Sequence, residues 1–258
     1  MTEKWRYIKS GKTAAGVNMA VDEAIAFNVI SGSSPPTLRM YSWDRPSVTI
    51  GAFQRLADID TGFCRENSVP LVRRLTGGRA ILHCTGITYS FAAGDTGHKD
   101  FGSLLDSYRI LSAAFLNAFR KLGLDVSVRK RRERGTILAG NPHCFDAVSF
   151  GEIAIKGRKI IGSAQKRFKK GFLQQGDIPF FTDQRLYKGI FDDGNVPAGL
   201  SRLYPDIGTG QLKISIVNEF EKVFNKKLGS GKLTEAESRL ARDLLEKKYL
   251  SAEWTERR

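Results

Sequence analysis

Histidine and cysteine are scarce in this chain, with three of each among 258 residues. His83, His98 and His143 do not combine with Cys64, Cys84 and Cys144 at metal-ligand spacings, so no metal site is expected. An odd, scattered cysteine set argues against a disulfide framework and fits a reducing cytoplasm. No run approaches the roughly 20 apolar residues of a membrane span. The opening MTEKWRYIKSGKT lacks an apolar core followed by small residues, so no secretory signal is expected. Internal repeats and low-complexity tracts are also missing. Acidic side chains are outnumbered 27 to 41, a net charge of +14. Such a field attracts polyanions or acidic proteins. No helix combines a basic face with base-reading side chains, and aromatics do not interleave the basic runs, so nucleic acid is not the expected partner.

What is present describes a soluble α+β chain. Hydrophobic content of 41% and charged content of 26% are ordinary for a globular protein with a sizeable core. Asn18 is placed to cap a helix over about 19–31, with Asp22 and Glu23 in its first turns and Gly32 as its stop. Strands are expected near Leu38–Trp43, Ser47–Phe53, Val69–Arg74, Ala80–His83 and Ile87–Ala92, with a short helix around 58–67. Ser103 and Asp106 open a helix whose apolar stripe is Leu104, Tyr108, Leu111, Phe115, Phe119 and Leu122, and Gly123 ends it. A strand at Leu124–Val128 follows, and the basic run RKRRER, 129–134, reads as a solvated loop. Phe172–Phe181 reads as a strand pair or extended segment, and 184–210 as a long connection. Helices over about 211–228 and 235–249 close the chain, the second with a Thr234–Glu237 capping box. Hairpins mixed with a few helices, without regular βαβ alternation, point to an α+β fold.

Two stretches carry candidate chemistry. Thr76-Gly77-Gly78 joins two strands between Arg73, Arg74 and Arg79. Glycines let backbone N–H groups face a ligand, so this is either an anion-facing loop or simply a turn. His83 is a pocket residue or a satisfied core histidine. In NPHCFDAVSFGEIAIKGRKIIGSAQKR, Cys144 precedes an alternating segment, a Gly157-Arg158 turn and Lys159. A thiol and an ammonium so placed are the parts of an activated nucleophile, because the positive charge favours thiolate. The plainer reading makes Cys144 a small buried hydrophobe and Lys159 a strand-end charge.

RRLTGGRAILH (73–83), TYSF (88–91) and GRKIIGSAQKR (157–167), with NMAVDEAI, SVTIGAFQ and KYLSAEW, resemble the biotin/lipoate protein ligase and transferase superfamily over nearly the whole chain. Cys144-Phe145-Asp146 ahead of the hairpin resembles its cysteine-dependent octanoyltransferase branch. The resemblance implies a single catalytic domain over 1–258, a mixed β-sheet flanked by helices as in class II aminoacyl-tRNA synthetases, with the two closing helices packed on it. It further implies octanoyl transfer from acyl carrier protein to a lysine of a lipoyl domain or a glycine cleavage H-type protein, by a cytoplasmic monomer that needs no ATP or metal. Cys144 becomes the acyl-thioester nucleophile and Lys159 the group lowering its pKa. Arg73, Thr76, Gly77, Gly78, Arg79, His83, Gly162, Ser163 and Ala164 become the walls of the acyl pocket. Arg79 stands where many ligases of the superfamily carry a third glycine, and GDIPF, 176–180, departs from a usually more apolar continuation. An ATP-dependent lipoate–protein ligase, using ATP and Mg, is the nearest alternative; a biotin–protein ligase or a non-catalytic scaffold is further away.

Overall fold

Trp5 and Ile8 turn into the core from β1 (Trp5–Thr13) of the computed structural model, which describes residues 4–94, 101–128, 153–155, 157–191, 196–197 and 199–257. Helix α1 (Ala15–Ile30) follows directly. It opens at Ala14, so Asn18 is not its cap. Asn18 lies inside the helix, where its amide nitrogen donates to the carbonyls of Thr13 and Ser42 and its oxygen accepts from Arg39. The neighbouring strands satisfy this side chain, which frees the helix to begin earlier.

Strands β2 (Thr37–Trp43) and β3 (Ser47–Ile50) come next, then α2 (Thr61–Glu66), capped by the Asp60 carboxylate at Phe63 N–H. After β4 (Leu71–Arg73), β5 (Ile81–His83) and β6 (Thr85–Gly94), helix α3 (Leu104–Lys121) opens with the Ser103–Asp106 capping box. It buries Leu111, Ala114, Phe115, Ala118 and Phe119, one helical stripe, while Leu104 is left exposed at its start. Strands β7 (Val126–Val128), β8 (Ile153–Ile155) and β9 (Arg158–Lys159) form a small antiparallel sheet.

Strands β10 (Gly162–Phe168) and β11 (Gly171–Phe181) form a hairpin, so Phe172–Phe181 lies within one long strand. The 184–210 stretch is not a plain connection: it holds α4 (Gln184–Phe191) and α5 (Leu200–Leu203). Leu186, Tyr187, Ile190 and Phe191 bury one side of α4, enough to hold two turns that local composition does not announce. The chain ends with α6 (Thr209–Phe224), β12 (Leu228–Ser230), α7 (Glu235–Leu244), a π-helical turn at Leu245–Tyr249, and α8 (Ala252–Glu256).

The main sheet runs β10-β11-β6-β2-β1-β12, with β1 parallel to β2 and β12 and the other pairs antiparallel. A second sheet, β4-β3-β5, stands beside it. Helices α3 and α6 cover one face of the main sheet through Phe115, Phe119, Phe220 and Phe224. Helices α1 and α7 cover the other through Val21, Ile25, Val29 and Ala241. This is the mixed, helix-flanked α+β sheet expected from sequence. No helix among the described residues is long and apolar enough to cross a membrane.

Candidate active site

The Thr76-Gly77-Gly78 loop lies directly on the end of β3. A Cβ at Gly51 would sit 1.9 Å from the Gly78 carbonyl oxygen, so only glycine permits the approach. Gly78 takes φ +81°, a left-handed conformation that glycine adopts without strain. Arg74 holds the loop from inside, donating to the carbonyls of Gly77 and Arg79 at 2.7 Å each. The Thr76 hydroxyl ties the same loop to β11 through Gln175 Oε1 at 2.9 Å.

Between this loop, α1 and the main sheet is a small concavity open to solvent. Met19, Tyr41, Trp43 and Ile81 give it apolar wall; Thr49, Arg74, His83, Thr88 and Gln175 give it polar groups. Mostly apolar concavity with a few fixed polar groups is the usual form of a small-molecule site.

Two buried networks back this wall. In the first, Asp22 accepts from Arg39 at 2.7 Å, Tyr41 at 2.8 Å, Ser90 at 2.7 Å and Gln175 at 2.7 Å. Burial, then the negative charge of Asp22, pushes the Tyr41 phenol well above its ordinary range, so it stays a donor. In the second, His83 Nδ1 meets Asp177 Oδ1 at 2.9 Å and His83 Nε2 meets Thr49 Oγ1 at 2.9 Å. The Trp43 indole stacks on the His83 ring with centroids 4.1 Å apart.

The sequence-designated residues fall at different distances from this cavity. His83, Ser163 and Ala164 border it, and Thr76, Gly77 and Gly78 form the adjoining loop. Gly162 starts β10 opposite Asp177, and Arg79 follows the loop with its carbonyl held by Arg74. Arg73 serves the scaffold: wholly buried, it donates to the carbonyls of Gly51, Gln54 and Thr255 and so pins α8 behind the loop. Its neighbour Arg74 is the arginine at the cavity. Lys159 is buried on β9, paired with Ala154 and three residues ahead of β10. Cys144 lies outside the described residues. Of the other two thiols, burial pushes both Cys64 and Cys84 up to about 11, so they are protonated at neutral pH. Among the described residues, no three His, Cys, Asp or Glu side chains converge as a metal-binding group.

Sequence reasoning did not single out Asp177, Thr49, Trp43, Thr88, Gln175 or Asp22. One signal was available: a carboxylate within the buried strand GFLQQGDIPFF needs a buried partner. The partner of Asp177, His83, lies 94 residues away.

A model of the lipoyl protein ligase A/B catalytic domain matches residues 14–202. The chain is 33% identical over 274 residues to octanoyltransferase LipM of Kyrpidia tusciae, covering 99% of this chain and 100% of that one. It is 35% identical over 274 residues to octanoyltransferase LipM of Moorella thermoacetica, covering 99% of each. Its structure is similar to that of a putative lipoate protein ligase from T. acidophilum with bound lipoic acid, with TM-score 0.83, 25% identity and full coverage of both chains. The chain therefore belongs to the lipoyl protein ligase A/B catalytic domain family.

Proposed function

We propose that this chain transfers an octanoyl group from acyl carrier protein to a lysine of a lipoyl domain or glycine cleavage H-type protein, through an acyl-thioester on Cys144. The observation that carries the reading is end-to-end likeness to relatives named octanoyltransferase, in a chain that also carries Cys144 ahead of its Gly157 turn. The reaction runs in the cytoplasm on a monomer, without ATP or metal.

The Cys144 thiolate attacks the donor thioester, and the carrier's thiol leaves. One thioester replaces another, so this half is nearly neutral in energy. The acceptor amine then attacks the acyl-enzyme, the C–S bond breaks, and an amide forms, which is downhill. Lys159 favours the thiolate by its charge. Backbone N–H groups of the glycine loop or of 162–164 stabilise the oxyanion, each such donor being worth about 10²–10³ in rate. The Cys64 and Cys84 thiols, both near 11, support Cys144 as the nucleophile, since neither offers a thiolate at neutral pH.

The rival is ATP-dependent lipoate ligation, favoured by the likeness to the T. acidophilum protein. Intact-mass measurement after mixing with octanoyl carrier protein, without ATP or acceptor, separates them. The expected result is an octanoyl adduct at Cys144 that a lipoyl domain discharges and that Cys144→Ala abolishes. Acceptor modification only with ATP and free lipoate would establish the ligase instead.

A further inference from the structure

The polar groups along the cavity wall form one line with a donor-only side chain at each end. Trp43 Nε1, which can only donate, gives its proton to Thr88 Oγ1 at 2.7 Å, so the Thr88 proton goes to Asp177 Oδ1 at 2.6 Å. Arg74, also donor-only, reaches Thr49 Oγ1 at 3.1 Å, and the same hydroxyl lies 2.9 Å from His83 Nε2. Between them stands His83 Nδ1, 2.9 Å from the Asp177 carboxylate. A carboxylate accepts, so Nδ1 carries the hydrogen, and the neutral ring then offers its Nε2 lone pair to the Thr49 hydroxyl. His83 and Asp177 are each 3% exposed and Thr49 2%, so solvent does not compete for these bonds. The stacked Trp43 ring holds the imidazole plane.

Hydroxyl, imidazole and carboxylate in this order are the parts of a proton relay, recognisable by geometry whatever the fold. Building on the lysine acylation proposed above, we propose that Asp177 is a positioning residue that makes His83, through the Thr49 hydroxyl, the proton acceptor for the attacking amine. The amine's lone pair attacks the acyl carbon, and the C–S bond breaks with its electron pair leaving as thiolate. The proton shed by nitrogen passes to Thr49 Oγ1 while the Thr49 proton passes to His83 Nε2. The imidazolium so formed donates from Nε2 to Thr49 and from Nδ1 to Asp177, and it later returns its proton to solvent. Each atom and electron pair is accounted for by groups in this chain and its two substrates. Donor loading, in contrast, forms a thioester from a thiolate and needs no such acceptor.

The test uses the full-length chain, in which ¹⁵N-histidine labelling gives only three residues to resolve. Wild type is expected to show His83 as the Nδ1–H tautomer. In Asp177→Ala the acceptor facing Nδ1 is removed, so that tautomer is no longer held. The same variant should slow single-turnover discharge onto a lipoyl-domain lysine by about 10²-fold, the typical worth of general-base catalysis, with loading unchanged. Thr49→Val should do likewise, and Thr49→Ser should restore discharge, which guards against a folding defect in Asp177→Ala. An unaltered tautomer in Asp177→Ala, equal slowing of loading and discharge, or full speed in Thr49→Val would each overturn the proposal. If wild type accepts acyl only from free acid with ATP, the thioester reading falls. Discharge onto the lysine is then measured from that donor, and the same variants decide whether the relay operates.

Discussion

The two faces of the central sheet differ in chemistry: one is rich in aromatic rings, while the other adds a buried polar network to its aliphatic packing. Beneath α3 and α6 the packing is aromatic: Phe91 and Phe101 stand 5.6 Å apart, Phe101 and Phe172 5.1 Å, Phe115 and Phe220 5.3 Å. Beneath α1 the same strands present Ser90, Gln175 and Asp177 to Asp22, Arg39 and His83. Dispersion and area burial are non-directional, so the aromatic face tolerates repacking. A desolvated charge is tolerated only with its partners in place. The second face is therefore the brittle one, and it is the one that builds the cavity.

Asp22→Ala should be the largest break. It strands the Arg39 guanidinium, 1% exposed, and removes the acceptor of Tyr41, Ser90 and Gln175 together. A loss of about 3–5 kcal/mol in urea unfolding is expected, as for other halves of buried ion pairs. Replacing both partners, Asp22→Leu with Arg39→Met, should recover much of it, because no charge is then left unpaired. A cost for Asp22→Ala no greater than that of an exposed alanine substitution would remove the contrast. On the aromatic face, Phe115→Leu keeps polarity but gives up ring volume against Tyr89 and Phe220, and should cost about 1–2 kcal/mol, less than Asp22→Ala. Acyl transfer per folded molecule should stay at the wild-type rate, and a selective loss of turnover would show that the aromatic face reaches the chemistry.

The same contrast decides what could be read from sequence. The α3 stripe and the Ser103–Asp106 and Thr234–Glu237 capping boxes were legible because helical spacing and i to i+3 bonds are local. The Thr76-Gly77-Gly78 loop was legible because glycines between strands announce themselves. Asp22 reads locally as a charge in a helix's first turns, yet it is fully buried, because its four donors come from β2, β6 and β11. Asp177 shows in the sequence only as part of the departure at GDIPF. Its meaning depends on the β11–β6 register that sets it opposite Thr88 and on the turn that brings β5 alongside. Helix α4 was missed because its two turns sit beside a stretch rich in Gly, Pro and Asp, and burial rather than propensity holds them.

A second ion pair on the α1 and α7 side sharpens the comparison with a smaller effect. Glu237, buried at the start of α7, accepts from Arg6 at 2.9 Å, from the Thr234 N–H at 2.8 Å and from Ser34 at 2.9 Å. Burial by itself would raise the carboxyl, but Arg6, the Thr234 N–H and Ser34 together outweigh it and hold the pKa below the ordinary glutamate value. A group depressed in the folded state adds stability at pH values above its unfolded pKa, and that stability fades as pH falls through the folded value. Wild-type Tm should therefore drop on the acid side, below the ordinary glutamate range. Glu237→Gln, which keeps the shape without the charge, should lower Tm at pH 7 and flatten that acid slope, while the aromatic-face variant Phe115→Leu shifts Tm equally at every pH. Parallel Tm-against-pH curves for wild type and Glu237→Gln would mean that this pair, unlike Arg39–Asp22, is held by packing rather than by charge.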